Sequence, residues 1–298
     1  MPDFKNKILI PACKILNFPL AKILIGIVLI NVGIFIVRSM IQLLLNSFHI
    51  ENSLIYDSII FITRIIALIS IYWFFIRIYE KREPDEILFR GNSIKKIFFG
   101  AIIGLLCIGT VLVINILSGW ISVINVHESP DILQGLYYTA FYVLLQDFVF
   151  YLILFRITEK YLGTYLTILI TGLIFGFEHL FFPEYEFING IFLFINILFI
   201  FSALYLRSRT VWEIFGFHLI YNFIQSIVLG VSIPDGMQSV FTLQIDGPVL
   251  LTGDKSGLES SAIAALFCII TGGYLLIKEK RQGKFVLPFW AKTINNNP

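Results

Sequence analysis

Charge is scarce in this chain. Only 14% of its 298 residues are Asp, Glu, Lys or Arg, against about 25% in an ordinary soluble domain. With 57% of the residues apolar, a soluble fold could not cover so much greasy surface. The net charge of +2 says little by itself, and no nucleic-acid partner is expected. Cysteine is sparse too. Cys13, Cys107 and Cys268 stand far apart, with no CxxC pair and no Cys/His cluster. Such an odd, dispersed set argues against a disulfide framework, and Cys107 and Cys268 fall in apolar runs where cysteine serves as a small filler. No small-residue cleavage site follows the N-terminus, so no cleavable signal peptide is expected. The chain starts as a basic amphipathic stretch that leads straight into an apolar run. There is no internal repeat, and no low-complexity segment beyond the Asn-rich last residues.

What is abundant is Ile, Leu and Phe, in long runs. A helix that crosses a bilayer needs about 20 predominantly apolar residues. Eight runs qualify: 19–45, 54–79, 97–124, 132–155, 165–182, 187–206, 211–231 and 258–277. The expectation is an all-α, polytopic membrane protein of about eight transmembrane helices, forming a single membrane domain over residues 1–298 and surrounded by membrane lipid. It would be an integral, multi-pass protein, of the plasma membrane if the source is bacterial.

Lys and Arg alternate between the loops. One set of segments carries Lys5, Lys7, Lys14 and Lys22; Lys81, Arg82, Arg90, Lys95 and Lys96; Arg156 and Lys160; Arg207 and Arg209; and Lys278, Lys280, Arg281, Lys284 and Lys292. The loops between them, 46–53, 125–131, 183–186 and 232–257, hold only Lys255. Basic residues stay on the cytoplasmic side, so both termini are expected there. The stretch 247–261, with Gly247-Pro248, Gly253-Asp254 and Gly257 followed by Glu259, reads as a turn-rich outer loop.

Three apolar runs contain polar groups that lipid would reject. They are Gln146-Asp147-Phe148-Val149-Phe150-Tyr151, Phe175-Gly176-Phe177-Glu178-His179 and His218-Leu219-Ile220-Tyr221-Asn222. A carboxylate at the centre of a membrane helix costs about 2.5–3.5 kcal/mol on insertion scales, and intramembrane ionisable groups are functional candidates by default. A lone membrane histidine can be no more than a helix–helix hydrogen bond. Two on neighbouring runs, with a carboxylate upstream, are harder to dismiss. Phe175/His179, His218/Asn222 and Asp147/Tyr151 are each i and i+4, so each pair shares a helix face. The set suits activation of water. A carboxylate could accept its proton, or a metal held by two His and a carboxylate could lower its pKa. Asn222 could donate to an oxyanion. By helix rise, Asp147 and His218 each lie roughly 13 Å from the nearest basic loop, whereas His179 falls nearer the outer end, roughly 22 Å along its run. His49 and His127 fall in outer loops and Arg38 and Glu213 read as structural. Arg64 reads as half of an internal ion pair with Asp57.

These residues resemble the CPBP family of intramembrane proteases, which includes the type II CAAX prenyl endopeptidases and bacteriocin-processing or immunity proteins. The family order is Glu-Glu-x-x-x-Arg, then Phe-x-x-x-His, then His-x-x-x-Asn. Phe175/His179 and His218/Asn222 match in full. Leu251-Thr252-Gly253, Gly257-Leu258-Glu259 and a last run ending in Lys278-Glu279-Lys280 also resemble bacterial members. The first motif departs: Gln146-Asp147-x-x-x-Tyr151 replaces the acid pair and arginine, with Leu154-Phe155-Arg156 keeping the register. Gln146 cannot accept a proton; Asp147 can. Tyr151 could bond Asp147 without bringing charge. Glu178, beside His179, could substitute as the base, though it points about 100° away on a helix, and Arg64 could stand in for the missing arginine, though the internal ion pair is the preferred reading.

The resemblance implies a CPBP-like catalytic core over residues 132–278 and an intramembrane metallo-endopeptidase. Its catalytic residues would be Asp147, Gln146, His179, His218 and Asn222. A divalent metal, zinc, would sit on His179, His218 and Asp147. The substrate would be a membrane-associated peptide or protein; oligomeric state is not readable. The alternative is a catalytically silent relative acting as a membrane binding or bacteriocin-immunity scaffold, which the altered first motif favours. A small-solute transporter has less support, since the chain lacks two related halves with paired broken helices.

Overall fold

Breaks in the apolar pattern decide where each helix begins. The computed structural model describes residues 18–50, 52–183, 185–234 and 236–291; Lys5, Lys7, Lys14, Lys292 and Cys13 lie outside the described residues. Pro19 opens α1 (Pro19–Ser47), at a position where its missing N–H leaves no bond unmade. Asn52 caps α2 (Ser53–Glu80) by accepting from the Ile55 N–H. α3 spans Ser93–Leu117. α4 (Ile132–Asp147) runs through a wide π segment, Phe148–Phe155, into α5 (Arg156–His179). α6 (Phe187–Ser208) contains a further π segment, Ile197–Phe201. α7 (Val211–Asn222) continues as another, Phe223–Val228, and α2 itself ends in one, Phe75–Glu80. Ser261 then caps α8 (Ala262–Arg281), its side chain accepting from the Ala264 N–H.

The protein is an all-α, polytopic membrane protein. Among the described residues, six helical stretches are long and apolar enough to cross a membrane: α1, α2, α3, the 48-residue stretch Ile132–His179, α6 and α8. Length and hydropathy alone therefore do not reach the expected eight. The stretch Ile132–His179 holds the fourth and fifth expected spans as two helices joined at a kink, where Gly163 adopts φ 74°; a side chain there would be strained. α7, with 12 residues that include Glu213, His218 and Asn222, does not qualify by itself.

The run 97–124 is not one span. α3 stops at Leu117, and Ile121–Val126 forms β1, antiparallel to β2 (Phe241–Ile245) with a bulge between Val123 and Asn125. The sequence Ile-Ser-Val-Ile-Asn-Val explains it, because four of its six residues are β-branched and fit a pleated surface better than a helix.

Close packing sets the position of α7. Its backbone presses on α3: a Cβ at Gly100 would lie 1.9 Å from the Glu213 carbonyl oxygen, and one at Gly216 would lie 2.1 Å from that of Ile97. Small residues permit this approach in membrane bundles.

The basic loops meet at one end of the molecule. Arg82 and Arg156 both pair with Glu80 and Glu86, Arg209 pairs with Glu159, and Arg207 pairs with Glu213. Lys284 donates to the Arg207 carbonyl at 2.8 Å, and Lys96 to Thr210 Oγ1 at 3.2 Å. At the other end, β1 and β2 are tied to neighbouring loops by His127, whose Nε2 bonds Thr242 Oγ1 at 2.8 Å, and by the Gln238 N–H, which donates to Asp131 Oδ2 at 2.8 Å.

Candidate active site

α4, α5 and α7 bring three of the polar stretches to one place. Gln146, His179, His218 and Asn222 line a single cavity of about 210 Å³, together with Phe175, Tyr221, Gln225 and Glu259. Four of the five expected catalytic residues thus share a chamber. The fifth, Asp147, is buried but does not line it; it stands behind His218 instead.

The two imidazoles are each fixed by Nδ1. His218 Nδ1 lies 3.0 Å from Asp147 Oδ1. An ionised carboxylate only accepts, so the ring donates from Nδ1 and Nε2 is left as an acceptor. His179 donates from Nδ1 to the Phe175 carbonyl at 2.8 Å, one helical turn back. The Phe175 ring packs on His179 with centroids 4.5 Å apart, and Phe201 meets His218 edge-on at 5.1 Å. A wide π segment begins directly after Asp147 and another directly after Asn222. Such turns gather at functional sites, and no residue pattern announces them.

His179 is the last residue of α5 and faces both the cavity and a larger vestibule.

One group was missed by the spacing of motifs. Glu259, in the single turn Leu258–Ser260 ahead of α8, lines the cavity, and among the described residues it is the sole carboxylate that does. Its N–H donates to Gln225 Oε1 at 3.3 Å, and its carbonyl accepts from Asn196 Nδ2 at 2.9 Å. Gly257 makes room for it: at φ 99°, a Cβ there would fall 2.7 Å from Glu259 Oε2 and 2.8 Å from Gln225 Nε2. Glu259 Oε2 and the Tyr221 hydroxyl are buried without a protein partner. Buried polar groups are nearly always bonded, so the chamber suits water or a peptide. The Gly257-Leu258-Glu259 sequence was the available signal, but it gives no direction.

Other candidates lie elsewhere. Tyr151 does not bond Asp147, whose Oδ2 has no protein partner; its ring stacks among Phe155, Phe201 and Tyr205. Glu178 is exposed and outside the cavity lining. Arg64 forms no ion pair with Asp57; its guanidinium lies 3.5 Å from the Phe141 ring centroid, a cation–π contact. The expected zinc set does not come together as three donors. Asp147 gives Oδ1 to His218, and among the described residues no group of three His, Cys, Asp or Glu is placed to hold a metal ion.

The profile of the family described as Type II CAAX prenyl endopeptidase Rce1-like matches residues 128–224, which hold all three polar stretches. The resemblance carried by the motifs is thereby shown over that segment, less than half of the chain. No curated protein and no solved structure matches the chain. Together with the apolar helices, the match makes this an integral, multi-pass membrane protein, with a segment similar to the type II CAAX prenyl endopeptidases.

Proposed function

We propose that the protein is an intramembrane endopeptidase that cleaves a membrane-associated peptide or protein with water held in the cavity. The observation that carries this reading is the His218–Asp147 pair facing Gln146, His179 and Asn222 across one chamber. The carboxylate of Asp147 keeps the Nδ1–H tautomer and stabilises the imidazolium as it forms, so Nε2 of His218 is the base. Water loses a proton to Nε2 as its oxygen bonds the peptide carbon. The carboxamides of Gln146 and Asn222 donate to the oxyanion. His218 then returns the proton to the leaving nitrogen as the C–N bond breaks. The carboxylate of Glu259 supports the positive charge on His218. His179, fixed by its own backbone bond, orders the chamber. No step is assigned to a metal, because the three expected donors do not fit one.

A second reading, a silent scaffold of the same fold, is favoured by Tyr151, whose aromatic packing takes the place of the family's arginine. One experiment separates the two. The purified protein in liposomes is offered a library of membrane peptides, beside His179→Ala and Asp147→Asn. Cleavage by the wild type that falls in both variants is expected. Equal signals from all three overturn the peptidase. Activity is also expected to survive EDTA; loss that zinc restores would show that these side chains rearrange around a metal.

A further inference from the structure

We infer that the cavity is served from the outer face of the membrane, so that its substrate is an extended peptide segment presented outside the cytoplasm. This rests on the peptidase reading for the word substrate, and on geometry for the direction. The chamber meets a vestibule of about 750 Å³, sharing His179, Tyr185 and Ser232 with it. The remaining vestibule residues include Tyr138 near the start of α4, Ile233, Leu243 and Ile245 of β2, and Lys255. Apart from the helix ends, all of these lie between residues 183 and 257 in the loops that hold one basic residue, Lys255. Not one lies in a basic loop.

Toward the basic end the chamber stops: the groove there, lined by Lys96, Arg207 and Lys284, shares no residue with it. Below His218, Tyr151, Phe155, Phe201 and Tyr205 stack into an aromatic layer. Beyond that layer sit the ion pairs of Arg156 with Glu80 and of Arg209 with Glu159, and Tyr72, Arg82 and Glu86 bonded together. Basic loops stay in the cytoplasm, so the basic end is cytoplasmic and the open end is outside. An extended chain suits the mouth. Leu243 and Ile245 are alternate residues of β2 and line it, and a two-stranded sheet leaves β2 with a second edge to pair. A C-terminal segment presented from the cytoplasm would meet the ion-pair collar.

The test uses the full-length protein in cells. Cys13, Cys107 and Cys268 are replaced by Ala, and either Ile233→Cys at the mouth or Lys278→Cys at the basic end is added. A membrane-impermeant maleimide is applied to intact cells and to inverted vesicles. In parallel, wild type is expressed with a single-span reporter that carries the peptide cleaved in liposomes on its outer or its inner side. Labelling of Ile233→Cys in intact cells, of Lys278→Cys in inverted vesicles alone, and cleavage of the outer reporter alone are expected. Labelling of Ile233→Cys in inverted vesicles alone overturns the outward mouth. Outer labelling with cleavage of the inner reporter alone overturns the outer substrate and leaves the peptidase standing. If neither reporter is cut, the peptidase reading falls, and the label alone decides the direction of the mouth.

Discussion

A carboxylate bonded to the far nitrogen of an imidazole fixes which nitrogen carries the proton and steadies the charge that appears when the other nitrogen takes one. Asp147 stands in that relation to His218 at 3.0 Å. Asp147→Asn keeps the shape and inverts the tautomer, so kcat is expected to fall by roughly 10²–10⁴ with KM little changed; a variant with wild-type kcat would remove Asp147 from the machinery. Burial pushes the Glu259 carboxyl up to about 7, so Glu259→Gln keeps the backbone bond to Gln225 and, above that pH, removes a negative charge near His218. A fall of about tenfold in kcat, about 1.4 kcal/mol, is the expected outcome, with the thermal midpoint unchanged. Sequence spacing could place Asp147, His218 and Asn222 on facing helices, since i and i+4 periodicity is local. Whether Asp147 points into the chamber or behind a histidine is set by rotation of α4 against α7, which periodicity does not encode. Glu259 was out of reach for the same reason, because its direction depends not only on its neighbour Gly257 but on Gln225 and Asn196, from two distant segments.

Among the elements, α7 matters most, because it carries both His218 and Asn222 and is held by backbone contact with α3. Gly100→Val places a branched side chain where 1.9 Å of space exists before the Glu213 carbonyl. Overpacking of this kind costs about 1–3 kcal/mol, and here it also pushes α7 away from α4. A lowered unfolding temperature in detergent together with lost cleavage is expected; wild-type stability would show that α7 is held elsewhere. Long apolar runs were legible because membrane-crossing length is a property of composition. The strand Ile121–Val126 was not, because a short apolar stretch without clean alternation reads on from the helix before it until its partner, Phe241–Ile245, is known. The wide turns after Asp147 and Asn222 have no residue signature at all.

For the whole molecule, the two ends differ in kind. One is an open mouth under a two-stranded sheet; the other is a collar of ion pairs that clasps the loop after α2 to the start of α5. Within that collar burial alone would raise the Glu86 carboxyl, but hydrogen bonds from Arg82 and Tyr72 and the nearby Arg156 outweigh it and hold it below its ordinary value. A depressed carboxyl stabilises the fold above its unfolded value and loses that contribution as pH falls through the folded one. Stability measured by thermal unfolding is therefore expected to decline as pH drops below about 4.5, and Glu86→Gln is expected to be less stable at neutral pH and flatter across that range. A variant whose pH profile overlays the wild type would place the acid sensitivity in other groups.

The most direct measurement is cleavage of a membrane peptide by the liposome-held protein in H₂¹⁸O, followed by mass spectrometry, with wild type beside His218→Ala. The expected result is a single ¹⁸O in the newly formed carboxyl group of the wild-type product and no product above background from His218→Ala. Intact peptide with wild type, or labelled product formed equally well without His218, would contradict the assignment of this chamber as a peptidase site.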